Sequence, residues 1–162
     1  MKVILFRGKR KDNGEWIEGH LVKLGRESFS DPERYGICNK AVPLGGSGVC
    51  YNLKIDEVIP ETIGQYTGLT DKNGKKIFEG DIVRLCRYAF EWEDKSNWKF
   101  EIGYIRFKNG CFIIEDIYSS DGYNELSCVY DEITCGGEYD SCVIFEVIGN
   151  KWDNSELLEE KK

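Results

Sequence analysis

Three Asn-Gly pairs, Asn13-Gly14, Asn73-Gly74 and Asn109-Gly110, stand between short apolar segments of this chain. No other feature constrains its fold as much. Both residue types tolerate positive φ, so such a pair between strand-like runs favours a tight hairpin. The flanks agree with that expectation. Residues 82–88 largely alternate apolar and polar side chains, with the two-residue period of a half-buried strand. Residues 98–107 alternate again through Trp98, Phe100, Ile102 and Tyr104, and 111–117 supply the return strand across the third turn. Residues 3–6, 35–38, 49–53, 55–59, 65–70 and 142–148 read as further strands, as does 16–24 with an interruption at Gly19. A short strand is expected around Val129, Tyr130 and Ile133.

Punctuation separates these runs. Asp31-Pro32 lies in a mostly polar stretch at 25–33, and Pro43 with Gly45-Gly46-Ser47-Gly48 marks another loop. Residues 89–97 are acidic and aromatic, lack a clear period and read as an excursion loop; residues 118–140 are polar and acidic with Gly122 and Gly136-Gly137, apart from the short strand expected around Val129. Helix signals are scarce: Ser155 is placed to cap one short helix through Leu157 and Leu158. The expectation is a mainly β protein. Residues 1–60 form an N-terminal strand-rich layer, packed with an SH3-like small barrel over 61–150 that carries long loop insertions. Residues 151–162 form a short C-terminal helix and tail. Gly80 and Gly103 suit the sharp bends that such a barrel requires.

Charge is spread unevenly over that plan. The 162 residues carry a formal charge of −7. Residues 1–60 hold ten Lys/Arg and eight Asp/Glu, whereas residues 61–162 hold twelve and twenty-one. No Lys or Arg occurs between Lys108 and Lys151, a stretch with nine acids. A net acidic chain is ill suited to general binding of nucleic-acid phosphates. Two surfaces are candidate partner sites: the basic Arg7, Lys9, Arg10 and Lys11, and the acidic Glu115, Asp116, Asp131 and Glu132. No apolar run approaches the length of a membrane span and no signal peptide is evident, so no membrane partner is expected.

Seven cysteines, Cys38, Cys50, Cys86, Cys111, Cys128, Cys135 and Cys142, form no CxxC pair, and His20 is the single histidine. Structural zinc sites use closely spaced ligand pairs. Scattered reduced thiols in a cytoplasmic protein, with no metal or cofactor, are the expectation. Asp71-Lys72-Asn73-Gly74 superficially resembles the start of an EF-hand loop, but its glycine stands fourth and the twelfth position is Ile82, so calcium is not expected. No GxSxG, HExxH, P-loop or GxGxxG pattern is present, and Gly45-Gly46-Ser47-Gly48 lacks the lysine of a phosphate loop. Catalysis is therefore not expected.

The central block is the most distinctive. Gln65-Tyr66-Thr67-Gly68-Leu69-Thr70-Asp71-Lys72-Asn73-Gly74-Lys75-Lys76-Ile77-Phe78-Glu79-Gly80-Asp81-Ile82-Val83 resembles the YopX-like proteins of bacteriophages and prophages, whose signature has the form YTGLxDKNGKxIYEGDIV. The opening Leu5-Phe6-Arg7-Gly8 with Gly14-Glu15-Trp16-Ile17 is similar to the family's first strand pair. The closing Ile148-Gly149-Asn150 through Leu157-Leu158 is similar to its IGNxxxNPELL segment. Phe78 stands where Tyr is common and Ser155 where Pro is common. The resemblance implies a phage-derived protein in the bacterial cytoplasm and a β-rich fold with an SH3-like part. It brings no established activity. Tyr66, Thr67, Gly68, Leu69, Asp71, Asn73, Gly74, Glu79, Gly80 and Asp81 are expected to build the fold, with Asp71 capping its turn and Glu79 and Asp81 accepting backbone N–H bonds.

Two functions fit these observations. One is a non-enzymatic interaction or assembly module that binds a protein partner or a second copy. The alternative is a single-stranded nucleic-acid binder using aromatics such as Trp16, Tyr88, Trp92, Trp98 and Tyr104 with the basic N-terminal hairpin.

Overall fold

In the computed structural model, residues 4–43, 51–90, 94, 100–115 and 141–159 are described. The chain is mainly β, as expected. It divides into two compact units, Met1–Tyr66 and Thr67–Lys162.

The first unit is an antiparallel sheet in the order β4-β3-β2-β1-β5. Its strands are β1 (Phe6–Lys9), β2 (Trp16–Gly25), β3 (Arg34–Pro43), β4 (Tyr51–Val58) and the start of β5 (Gly64–Thr70). Phe6 pairs with Gly19 and Lys9 with Trp16, while on the other side of β1 Phe6 pairs with Gln65. Ile17, Ile37 and Val58 are buried, and Phe6, Leu21, Tyr35 and Ile63 pack around them. A 3-10 turn at Pro60–Thr62 links β4 to β5. Its Thr62 hydroxyl donates to the Ile59 carbonyl at 2.7 Å and accepts the Lys9 amide at 2.9 Å.

Gly19 does not interrupt β2. A Cβ at that position would lie 2.3 Å from the Cys38 carbonyl oxygen, so only glycine lets β3 approach closely enough to pair. Likewise β4 is one strand where the sequence suggests two, and its irregularity is a register shift between Cys38 and Lys40 of β3. The first strand begins at Phe6; of the expected 3–6 run, Val3 is outside the described residues.

In the second unit the rest of β5 pairs with β6 (Lys76–Phe78). A four-stranded antiparallel sheet follows in the order β10-β7-β8-β9, built from β7 (Asp81–Phe90), β8 (Glu101–Lys108), β9 (Cys111–Glu115) and β10 (Ser141–Asn150). Among the described residues this sheet is open, with β10 and β9 at its edges. Ile77, Val83, Leu85, Ile105, Ile114 and Val147 form its core, with Leu69 and Phe112 against them. Alternation along β7 sends Val83 and Leu85 into that core, and Ile82 and Cys86 on the opposite face are buried too. A short helix, α1 (Glu156–Glu159), lies C-terminal to β10. The expected strand near Val129 lies outside the described residues.

The three Asn-Gly pairs make two kinds of turn. At Asn109-Gly110 both residues take positive φ, 53° and 87°, and Lys108 pairs directly with Cys111. That is the two-residue hairpin the dipeptide favours. At the other two pairs only the glycine is left-handed, Gly14 at 73° and Gly74 at 76°. There the glycine N–H closes back on Arg10 or Asp71 at 2.9 Å, giving a longer loop. The reason is local: Asn13 and Asn73 each sit inside side-chain bonds that hold a wider turn. The Asn13 Oδ1 accepts the Glu15 amide at 3.0 Å, and the Asp71 carboxylate accepts the Asn73 amide at 2.8 Å.

Candidate functional site

The central motif folds as β5, a turn, β6 and the start of β7, and its polar groups are used in holding that path. Tyr66 donates its amide to the Leu5 carbonyl at 2.8 Å. The Thr67 hydroxyl donates to the Ile77 carbonyl at 2.9 Å and accepts the Leu69 amide at 3.2 Å. Gly68 follows with φ 92°, which a side chain rarely adopts, and Leu69 returns to the core.

Asp71 is only 6% exposed. Its Oδ1 accepts the Asn73 and Lys75 amides at 2.8 and 2.9 Å, and its Oδ2 accepts the Val147 amide of β10 at 3.1 Å. One carboxylate thus caps the turn and ties it to a strand 76 residues away in sequence. Asp81, 1% exposed, accepts the Phe78 amide at 2.7 Å. Glu79 accepts the Phe107 amide at 3.3 Å. Between them Gly80 has φ 83°, and a Cβ there would lie 2.3 Å from the Trp152 ring. Its amide donates to Ile105 at 2.8 Å and its carbonyl accepts from Lys151 at 3.0 Å. A buried carboxylate is costly unless amides solvate it, and these amides do so.

The basic N-terminal residues split into two groups. Arg7 and Lys9 lie on one face of β1, with their cationic groups 4.9 and 5.6 Å from the centre of the Trp16 ring. Arg10 and Lys11 meet acids instead. Arg10 approaches Asp12 at 2.6 Å, Asp56 at 3.5 Å and Glu15 at 3.7 Å. Lys11 donates to Glu57 at 2.9 Å. Glu57 also accepts from Nε and Nη2 of Arg34, at 3.1 and 2.7 Å. Those bonds, Arg34 first and Lys11 second, pull its pKa down to about 2. An open cleft of about 320 Å³ lies here, lined by Lys11, Asp12, Ile55, Asp56 and Glu57. Its charges already face one another across it.

Of the acidic candidates, Glu115 is held on the edge strand by the Tyr104 hydroxyl and by Arg106, whose Nη1 reaches both carboxylate oxygens at 2.9 and 2.7 Å. The tyrosine bond first, then the arginine, lower its pKa. Asp116, Asp131 and Glu132 lie outside the described residues. Glu146 of β10 is lowered too, by Arg84 at 2.6 Å and then by Lys72 at 3.2 Å.

Among the described residues no group of three His, Cys, Asp or Glu is placed to hold a metal ion. Cys38, Cys86 and Cys111 are free thiols; Cys50, Cys128 and Cys135 fall outside the described residues, as does the side chain of Cys142. No helix among the described residues is long and apolar enough to cross a membrane.

One surface feature escaped sequence reasoning. The loop after β2 presents Phe29 at 97% exposure. The loop is not loose: the Asp31 amide donates to the Ser28 carbonyl at 3.1 Å, Arg26 donates to the Phe29 carbonyl at 3.4 Å, and Glu27 pairs with Arg34. A polar composition masked this residue. Its signal was being the single large apolar side chain within 25–33.

The comparisons with known proteins agree with the motif. The family model described as YopX protein matches residues 5–159. The chain belongs to the YopX family. A YopX chain therefore has its turn-capping Asp71, amide-bound Asp81 and Trp152-covered Gly80 inside the matched span. The fold is also similar to the crystal structure of protein EF1440 from Enterococcus faecalis. The TM-score is 0.55 at 24% identity, covering 96% of this chain and 98% of that one. At that identity the likeness speaks for the fold alone. Among curated proteins no significant match was found.

Proposed function

We propose that this YopX protein is a non-enzymatic interaction module of a phage or prophage, acting in the bacterial cytoplasm and binding a protein partner or a second copy of itself. The observation that carries this reading is Phe29, an almost fully exposed aromatic on a hydrogen-bonded turn. Large apolar side chains cost free energy in water, and aromatics that fill a partner's pocket dominate binding energy. Leu24 on the adjoining strand is also exposed, and Lys23, Arg26, Glu27, Glu33 and Arg34 surround the loop with paired charge. An apolar anchor within a charged rim is the anatomy of a protein-binding surface. The buried carboxylates of the family motif support the same reading, because amides already occupy them.

Light scattering at rising concentration and low salt, together with capture by tagged protein, tests this on wild type and Phe29→Ser. Self-association or capture that Phe29→Ser loses, with melting unchanged, supports the anchor. A monomer that captures nothing, or binding equal in both proteins, refutes it.

A second reading has one specific observation behind it. Trp16 flanked by Arg7 and Lys9 resembles the stacking-plus-cation unit of single-strand binders. Salt-sensitive binding of single-stranded DNA that Trp16→Ala removes would favour it, and no binding at low salt would discard it.

A further inference from the structure

The three Asn-Gly pairs share a chemistry as well as a turn preference. In such a pair the glycine nitrogen can attack the asparagine side-chain carbonyl, because no Cβ shields it. The new bond joins the Gly nitrogen to the Asn Cγ. The Cγ–Nδ2 bond breaks, and ammonia leaves with the proton lost from the glycine nitrogen. Water then opens the cyclic imide at either carbonyl, giving aspartate or isoaspartate. Water is the only co-reactant. The three sites are alike in exposure, so exposure does not rank them. Hydrogen bonding does.

At Asn13 the side-chain amide is held at both ends, donating to Glu15 Oε2 at 2.8 Å and accepting the Glu15 amide at 3.0 Å. The attacking Gly14 nitrogen is committed to the Arg10 carbonyl at 2.9 Å. At Asn73 the Gly74 nitrogen is committed to the Asp71 carbonyl at 2.9 Å, and the Asn73 and Lys75 amides are pinned by the Asp71 carboxylate. Reaction at either site requires those bonds to open. Asn109-Gly110 differs. Among the described residues neither the Asn109 side chain nor the Gly110 amide has a hydrogen-bond partner, and Asn109 sits at φ 53°, the left-handed conformation of a two-residue hairpin turn.

We propose that Asn109 is a self-modification site, the position where this protein selectively converts asparagine to aspartate or isoaspartate in its folded state. The product changes the β8–β9 hairpin in two ways. It places a carboxylate beside Lys108 at the turn. Its isoaspartyl form also inserts a backbone carbon into a loop whose register, Lys108 against Cys111, is set by having two residues.

The test is peptide mapping by mass spectrometry after incubation at mildly alkaline pH, on the folded protein and on the chain in denaturant. In denaturant the three sites should react at comparable rates. In the folded protein Asn109 should react roughly tenfold or more faster than Asn13 and Asn73, the least factor expected when the hydrogen bonds that hold each of the latter must open first. Asn109→Gly keeps a turn that accepts positive φ and should remove most of the isoaspartate formed by the folded protein, with melting nearly unchanged. The proposal is overturned if Asn13 or Asn73 reacts as fast as Asn109 in the folded state. It is equally overturned if the order seen when folded persists in denaturant, because sequence rather than structure would then set it.

Discussion

Replacing Asp71 by Asn keeps size and shape while changing what the side chain can accept. In the native protein three amides point at this carboxylate, two at Oδ1 and one at Oδ2. An asparagine has one acceptor oxygen. If that oxygen faces Asn73 and Lys75, its NH2 group meets the Val147 N–H, donor against donor, in a place shut off from water. If the amide flips, Val147 is satisfied and the two turn amides face the NH2 group. Neither orientation rescues all three. A buried donor without a partner costs about 1–3 kcal/mol, and the surviving bonds lose their charge assistance, about another 1 kcal/mol. The expected loss is about 2–4 kcal/mol, which lowers the melting temperature of a unit of this size by about 10–20 °C. Urea unfolding followed by circular dichroism measures it, with an unchanged denaturant slope showing that the unfolded state is not altered. Asp12→Asn is the control: Asp12 is exposed and pairs with Arg10 on the surface, so its loss should cost under about 1 kcal/mol. If Asp71→Asn is as mild as this control while partner binding disappears, Asp71 serves a ligand and the structural argument is refuted.

The two motif glycines separate backbone strain from crowding. Gly74→Ala places a side chain at φ 76° in open space, so it should cost only the left-handed penalty of about 1–2 kcal/mol. Gly80→Ala adds a collision with the Trp152 ring at 2.3 Å and should cost at least about 1 kcal/mol more; equal melting temperatures for the two variants would contradict the seating of Trp152. Glu57 provides the pH test. Its pKa is depressed from 4.5 to about 2 in the fold, so the stability it contributes is complete above pH 4.5 and is lost as pH falls toward 2. Urea midpoints should decline through that window, less steeply in Glu57→Gln, and parallel curves for the two proteins would exclude Glu57 as a contributor.

Much of the architecture was legible because strand period and turn chemistry are local. The alternation in 82–88 located β7, and Lys108-Asn109-Gly110-Cys111 specified a two-residue turn that the structure adopts. At Asn73 the dipeptide marked the turn and Asp71, two residues earlier, caps it as expected; the width of the loop follows from that carboxylate binding both the Asn73 and Lys75 amides. Gly19 read as an interruption because its necessity lies in the Cys38 carbonyl, 19 residues away. Charge was the least legible. Arg10 and Lys11 look like a basic patch in sequence, yet Asp56 and Glu57 reach them from β4, and only the β1–β4 geometry shows it. Phe29 was invisible for the opposite reason: a loop composition predicts solvent, not which single apolar side chain the loop will hold out.

The bond from Val147 to Asp71 also sets an order in time. β7 is synthesised well before β10, which pairs along most of its length, and Trp152 seats on Gly80 from beyond β10. Until residue 147 joins the fold, Oδ2 of Asp71 lacks its amide and β7 shows one bare hydrogen-bonding edge. Long-range pairings of this kind close slowly, and bare edges invite other chains. A nascent or truncated chain that stops short of β10 should therefore be the species most prone to aggregate, with the late strand acting as the latch that ends the risk.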